Sequence, residues 1–401
     1  MQRRIRAVVM RGGTSRAVFF HRVDLPEDPE TRDRVILTIF GGGDRYGRQI
    51  DGLGGATSVT SKTAIISRAS VPDADVDYTF GQVSITTPLI DYGGNCGNIS
   101  AAVGPFAIEE GLVRATDPVT TVRIWQANTR KRIIARVPTA DGLPRVEGDY
   151  AIDGVAGTGA MIQLEFVDPG GSMTGRLLPT GRPIETLEVP GVGGVTVSLV
   201  DAANPVVFFR PADLGLSGLE PPDRVDGDPA LLARIEAIRA AAAVSIGLAR
   251  TAAEATAKSP GVPKIAWAGP PAAFTSLGGR PVPADTVDLV GRIMTMGRLH
   301  RAYALTGAIC TAVAARIDGT VVHAVARRSG SPVSSGGTVR IGHPSGVIEV
   351  GADVRRHDGA WIVERVVTRR TARRLMDGGA LIPPSVWPQS APRQAAAPRG
   401  R

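Results

Sequence analysis

The sequence predicts an α/β (α+β) fold of two similar lobes, each a curved, mostly antiparallel sheet around a central helix. Three observations carry this expectation. Short alternating or branched apolar runs bounded by Gly, Pro or Asp dominate the chain, which is the signature of strands. Glycine (49) and proline (30) are abundant among the 401 residues, and that implies many turns. Each half also carries, amid its strands, one apolar helix rich in Ala and Gly, at 98–112 and at 306–317.

Taken in order, strands are expected at 4–10, 17–22, 63–68, 77–87, 121–127 and 132–137. A helix at 29–40 is acidic at its start and apolar on one face, and the helix at 98–112 is bent by Pro105. The Gly/Pro-rich stretch 178–194 (LPTGRPIETLEVPGVGG) reads as a link between two units. Strands resume at 195–200 and 205–209, followed by a long helix at 229–248 and a helical region at 286–317 broken near Thr306. The chain then returns to strands at 320–326, 338–341, 346–350 and 361–367, with a short last helix at 370–376. The domain division is therefore 1–185 for the first lobe, 186–386 for the second, and 387–401 for a tail of disordered composition.

Composition narrows the function. Two cysteines, Cys96 and Cys310, exclude a disulfide framework and every CxxC metal or haem pattern, and fit a reducing cytoplasm. The net charge is +8, but aromatics are 4% and the arginines are scattered, so no basic and aromatic patch points to nucleic acid. The apolar run after the basic N-terminus is too short for a signal peptide, and no stretch approaches the length of a membrane span. The five histidines show no ligand spacing and no HExxH occurs, so a metal site is not expected. The glycine-rich loops lack P-loop and GxGxxG spacing, and no GxSxG elbow occurs.

Arginine outnumbers lysine by 42 to 4, which singles out the lysines. Arginine is permanently charged, whereas a buried lysine can lose its proton, so a site that needs a base keeps lysine. Lys62 lies among small and hydroxylic residues in GGATSVTSK and is read either as a base or as a surface lysine spared by the drift to arginine. Lys131 and Lys258 read as solvated, and Lys264 in PKIAWA opens an apolar strand with its role open. Cys96 lies between Gly-Asn pairs at the start of a helix, where backbone amides favour an anion; the alternative is a small packed hydrophobe. Cys310 reads as core packing. His343, beside a Pro-Ser-Gly turn, either donates to an anion or stabilises the turn. A lysine, a thiol at a helix start and donor-rich loops together suggest acid–base chemistry on a small anion.

Eight motifs add a resemblance. MRGGTS (10–15), RQIDGLGGATSVTSK (48–62), DYGGNCGN (91–98), VRIWQAN (122–128), LPTG (178–181), PKIAWAGPP (263–271), MGRLH (296–300) and GHPSG (342–346) resemble, in the same order over nearly the whole chain, the PrpF family of 2-methylaconitate cis–trans isomerases and related allylic isomerases. The resemblance implies a diaminopimelate-epimerase-like fold with an active site between the lobes and no cofactor. It implies Lys62 as the base and Cys96 as its partner acid, acting on an unsaturated tricarboxylate through a delocalised anion. Donors to that anion would be the Gly97 and Asn98 amides with Thr14, Ser15, Thr180, His343 and Ser345; Arg11 and Arg48 would pair with carboxylates. The same motifs place Gln49, Asn95, Gly181, Met296 and Gly346 at the substrate.

The FGQVSI, VRIWQAN and MGRLH segments look most like the 2-methylaconitate branch, which serves the methylcitrate route of propionate breakdown. The 3-methylitaconate isomerases and 4-oxalomesaconate tautomerases are the alternatives. A reading of another class is a non-catalytic accessory protein of an aconitase-like iron–sulfur dehydratase, with which the isomerase would otherwise share its pathway. Homo-oligomerisation is left open. Two departures from the family pattern matter: Arg16 and Ala17 replace the usual Lys-Gly after RGGTS, and Thr306 and Gly307 stand where the two-thiol racemases of this fold carry a second cysteine, with Cys310 about one turn further in.

Overall fold

The computed structural model describes residues 1–326 and 337–387. The first half comprises β1 (Arg3–Gly12), β2 (Ser15–His21), α1 (Pro29–Phe40), β3 (Lys62–Arg68), β4 (Val76–Val83), β5 (Ile90–Asp91), α2 (Gly97–Glu109), β6 (Val119–Gln126), β7 (Lys131–Ala140) and β8 (Ile162–Val167). The chain continues through β9 (Glu185–Val189), β10 (Gly193–Ala202), β11 (Asn204–Phe209), α3 (Pro229–Ser245), β12 (Lys264–Gly269), β13 (Leu289–Thr295), α4 (Leu305–Ala314) and α5 (Val321–Val325). It closes with β14 (Thr338–His343), β15 (Gly346–His357), β16 (Ala360–Arg370) and β17 (Ala372–Ile382).

The principal strands form one continuous mixed sheet in the order β17, β1, β2, β3, β4, β6, β7, β8, β16, β15, β14, β13, β12, β11, β10, β9. The pairs β2–β3, β4–β6, β11–β12 and β13–β14 are parallel, two in each half. Every residue of α2 from Gly97 to Ile108 is buried, and so is every residue of α4. Helices apolar all round must be enclosed, and the sheet curls around both. α2 packs on β1, β6, β7 and β17, while α4 packs on β10, β11 and β15.

Local chemistry accounts for the boundaries. The side chain of Asp28 accepts a hydrogen bond from the Thr31 amide, Pro29 opens α1, and Gly41 at φ 63° ends it, the pattern of a capped helix. Asp228 and Pro229 start α3 in the same way.

Three expected elements are corrected. The 286–317 region is not helical throughout, because 289–295 is β13, buried at every position; a continuous apolar run has no period that separates strand from helix. The 320–326 strand is instead the short helix α5, started by Thr320, whose Oγ1 accepts from the His323 amide. The 370–376 helix is instead part of β17, where ladder pairing with β1 from Arg3↔Ile382 to Gly12↔Ala372 overrides the helix preference of Arg, Ala, Leu and Met.

The Gly/Pro-rich link at 178–194 contains β9, paired with β10. Because β17 pairs with β1, residues 372–382 return to the first half rather than completing the 186–386 lobe. The expected tail falls, from residue 388 on, outside the described residues. No helix among the described residues is long and apolar enough to cross a membrane.

Candidate active site

Lys62 opens β3 between β2 and β4 and is 5% exposed. Its cross-strand neighbour is Gln82, whose Oε1 accepts from Lys62 Nζ at 2.5 Å. Gln82 Nε2 donates to the carbonyls of Ser61 and Ser58 at 2.8 and 3.1 Å, which fixes the amide with its oxygen toward the lysine. The Phe80 ring lies 5.2 Å from Nζ. Burial pushes the Lys62 ammonium below the usual lysine range, with Cys96 opposing. The sequence left open whether this lysine is a solvated surface group, and its burial settles that it is not.

Cys96 is the residue before α2, with extended backbone and no cap bond from its thiol. Its carbonyl instead accepts from the amide and hydroxyl of Ser100 at 3.0 and 3.1 Å, so the half-buried thiol remains a free group on the cavity wall. A Cβ on Gly97 would lie 3.0–3.2 Å from the Leu305 side chain, so the starts of α2 and α4 abut. Asn204, opening β11, stitches the halves. Its Oδ1 accepts from the Asn95 amide, and its Nδ2 donates to the Asn95 carbonyl and to Thr306 Oγ1, each at 3.1 Å.

Around this junction lies a cavity lined by Ser15, Lys62, Gln82, Asp91, Asn95, Cys96, Gly97, Asn98, Asn204, Lys264, Thr295, Met296, His300 and Thr306 among others. Asp91 is occupied by two backbone amides, Gly93 at 2.7 Å and Gly261 at 3.1 Å. His300 Nδ1 accepts from the Ala302 amide at 3.0 Å, which leaves Nε2 as the N–H. Burial, and then the nearby Lys62 and Lys264, hold His300 down to about 3, so it is a neutral donor. No group of three or more His, Cys, Asp or Glu among the described residues is arranged to hold a metal.

Of the residues singled out in the sequence, Ser15, Lys62, Asn95, Cys96, Gly97, Asn98 and Met296 meet in this cavity. Thr14 and Ser345 line a wider cleft that adjoins it through Gln82, Thr295, Met296 and His300. Thr14 Oγ1 also accepts from Asn98 Nδ2 at 3.1 Å, while Arg370 Nε holds Asn98 Oδ1 at 3.2 Å.

The others sit elsewhere. Arg11 is spent on the Gly13 carbonyl and on Thr371. Arg48 and Gln49 line a separate hollow with Arg34 and Val386, and Gln49 Oε1 ties the loop before β3 through Ala56 and Ser61. Thr180 bonds Glu185, and Gly181 turns the chain at φ 76°; neither lines either cavity. His343 is buried and neutral, accepting from the Ser345 amide, and Gly346, at φ 144°, packs on Asp153.

Residue-by-residue reading missed Gln82, Asp91, Asn204 and His300 and left Lys264 open. The motifs FGQVSI, DYGGNCGN, MGRLH and PKIAWAGPP contain four of these five and were the available signal.

The chain is matched by the family model described as PrpF protein over residues 2–383. It is 50% identical over 378 residues to the 3-methylitaconate isomerase of Eubacterium barkeri, covering 94% of this chain and 97% of that one. It is 44% identical to the 2-methyl-aconitate isomerase of Shewanella oneidensis, covering 95% and 98%. The crystal structure of a methylitaconate-delta-isomerase matches with a TM-score of 0.75 at 46% identity, over 97% of this chain and 98% of that one. A probable proline racemase matches in fold alone, at 13% identity and a TM-score of 0.54 over 95% and 94%. A matched family model and isomerase relatives along nearly the full length lead to one conclusion: the chain belongs to the PrpF family and is an isomerase.

Proposed function

We propose that the chain interconverts the geometric isomers of 2-methylaconitate by removing and returning an allylic proton. The observation that carries this reading is a buried lysine, Lys62, held below the usual lysine range by its burial and sharing one cavity with the free thiol of Cys96. Neutral Lys62 takes the allylic proton and becomes an ammonium. The C–H electron pair passes into the double bond and its conjugated carboxylate, giving a dienolate-type anion. Rotation about the former double bond follows, and the Cys96 thiol returns a proton to carbon; the thiolate then recovers one from the Lys62 ammonium. The amides of Gly97 and Asn98, at the positive end of α2, and the N–H of His300 are the donors placed to meet developing charge.

The similarity to a relative named 2-methyl-aconitate isomerase supports this substrate. A second reading, 3-methylitaconate, is favoured by the 50% identity to a relative of that name; there the same proton abstraction would be followed by protonation at the other end of the allylic anion, shifting the double bond in an acid of two carboxylates instead of three. The two unpaired cysteines suit a cytoplasmic setting, and the enzyme would act alongside an aconitase-like dehydratase.

The test is proton NMR in deuterated buffer with 2-methylaconitate, 3-methylitaconate and 4-oxalomesaconate in parallel, with Lys62→Met as control. Isomerisation of 2-methylaconitate with deuterium uptake, absent in the variant, is the expected result. Turnover of another acid alone transfers the assignment to it. No turnover of any by a folded protein, with pathway function retained in Lys62→Met, favours an accessory role.

A further inference from the structure

The cavity's charge balance is lopsided. Two lysines line it, Lys62 from β3 in the first half and Lys264 from β12 in the second, and among the described residues no arginine does. The one carboxylate on the wall, Asp91, already accepts from two backbone amides. Lys62 is engaged with Gln82 and lies over Phe80. Lys264 is different: its hydrogen bond, to the Gly261 carbonyl, is 3.5 Å long, too long to hold an ammonium firmly. Among the described residues it has no ion pair. A half-buried cation on a binding cavity with no anion of its own is a vacancy for a ligand's anion.

Resting on the reading above, we propose that Lys264 receives the substrate carboxylate conjugated with the reacting carbon and carries the charge of the dienolate intermediate. If Lys62 is to accept a proton it must be neutral at the moment of reaction, and the remaining cation on the wall is Lys264. Charge developing on the substrate needs a preorganised positive partner. Neither Arg11 nor Arg48, the carboxylate partners expected from the sequence, reaches this cavity.

The two lysines also regulate each other. Burial first, and then the proximity of Lys62, bring Lys264 down to about 8. The groups facing it are Lys62, Cys96, Asp91 and Arg239, the last paired with Glu236, with His300 neutral on the same wall. When Lys62 sheds its proton one depressing cause disappears, and an arriving carboxylate raises Lys264 further. With Lys62 already neutral, the arriving carboxylate therefore selects charged Lys264, and binding near pH 8 takes up protons.

The experiment has two arms. Calorimetry of tricarballylate, a saturated tricarboxylate that cannot react, in buffers of different ionisation enthalpy at pH 8 reads affinity and proton uptake. Wild type is expected to take up protons. Lys264→Gln should bind about tenfold weaker, the cost of one charge-assisted bond, with uptake reduced. Lys264→Arg should bind with the uptake reduced but the affinity kept.

Turnover and deuterium incorporation form the second arm. Lys264→Gln should lose about 10²–10³ in kcat, as when a charge-stabilising donor is removed, with exchange falling in step, and Lys264→Arg should recover part of both. Wild-type affinity and turnover in Lys264→Gln overturn the proposal. So does exchange that persists while isomerisation stops, since Lys264 would then be a proton donor. If wild type turns over no tested acid yet binds tricarballylate with Lys264-dependent uptake, the carboxylate site stands and the substrate reading falls.

Discussion

The starts of the two central helices, α2 and α4, meet at the same junction but do different work. At α2 the chain places Cys96, Gly97 and Asn98 on the cavity, with the thiol uncommitted. At α4 the corresponding positions are Ala304, Leu305 and Thr306, and Thr306 Oγ1 is committed to Asn204. The thiol of the second half, Cys310, lies inside α4, donating to the Val200 carbonyl at 3.2 Å. Burial pushes it well above the usual thiol range, so it stays protonated. Similar architecture has thus been split chemically: the first half supplies the Cys96 thiol and the buried Lys62, while the second supplies a scaffold, a clamp in Asn204 and Lys264. A symmetric two-thiol reaction has no second thiol on this cavity.

The largest effect should come from removing Lys62, the base of the proposed reaction. Lys62→Met is expected to lower kcat by about 10²–10⁴, the usual contribution of a positioned proton-transfer group, while leaving the urea midpoint unchanged or raised, because an ammonium buried at a cost is replaced by an apolar side chain. Steady-state kinetics and urea unfolding read the two together. A variant that keeps its turnover would return the base to the second half and reverse the division of labour.

Next in size is a change behind α2. A Cβ on Gly12 would come 2.4 Å from the Asn98 carbonyl and 3.1 Å from Ile99 Cα, both backbone atoms, so β1 and α2 cannot both stay in place. Gly12→Ala should cost about 1–3 kcal/mol, measured by urea unfolding, and should lower turnover by displacing Asn98. Unchanged kinetics would mean that the α2 start tolerates movement and that its geometry matters less than its chemistry.

How much of this was legible depended on the kind of signal. The scarcity of lysine pointed to Lys62 because it is a statement about titration, which needs no tertiary information. The Gly-Asn brackets pointed to Cys96 because close backbone approach and a helix start are local properties. Asn204 was invisible because a buried asparagine in an apolar strand gives no sign of the backbone groups, Asn95 in this case, that it will meet 109 residues away. Arg11 and Arg48 misled because a positive charge near a motif says nothing about which carbonyl or hollow will claim it. In the fold, β13 was read as helix and β17 likewise, since a fully buried strand and an edge strand rich in Arg, Leu and Met both lack alternation; pairing partners decide such segments.

A smaller effect concerns pH. His300 is held down to about 3 in the folded protein, against about 6.5 when unfolded. Between those values the unfolded chain binds a proton that the folded one refuses, so stability falls as pH drops below about 6.5, by up to about 1.4 kcal/mol per unit for this group. His343, also buried and held low beside His300, Arg370, Arg292 and Arg280, acts in the same direction. Urea midpoints from pH 7 to 5 should show a shallower slope in His300→Gln than in wild type. An identical slope would place the acid sensitivity in the carboxylates instead and remove His300 from the second half's contribution.

The smallest expected effect separates the two cysteines. Cys310→Ala removes one buried sulfur from the wall between α4 and β10 and should cost about 1 kcal/mol of stability, with kcat unchanged because the residue does not line the cavity. Cys96→Ala should do the reverse: a stability change within about 0.5 kcal/mol and a clear fall in turnover. Iodoacetamide on the native protein should alkylate Cys96 while sparing Cys310 until the chain is unfolded, since a thiolate is the reacting form and burial holds Cys310 protonated. Alkylation of Cys310 in the native state would require α4 to open on the timescale of the reaction. The second half would then be a mobile counterpart to the first, and the difference between the helix starts would lie in dynamics as well as in chemistry.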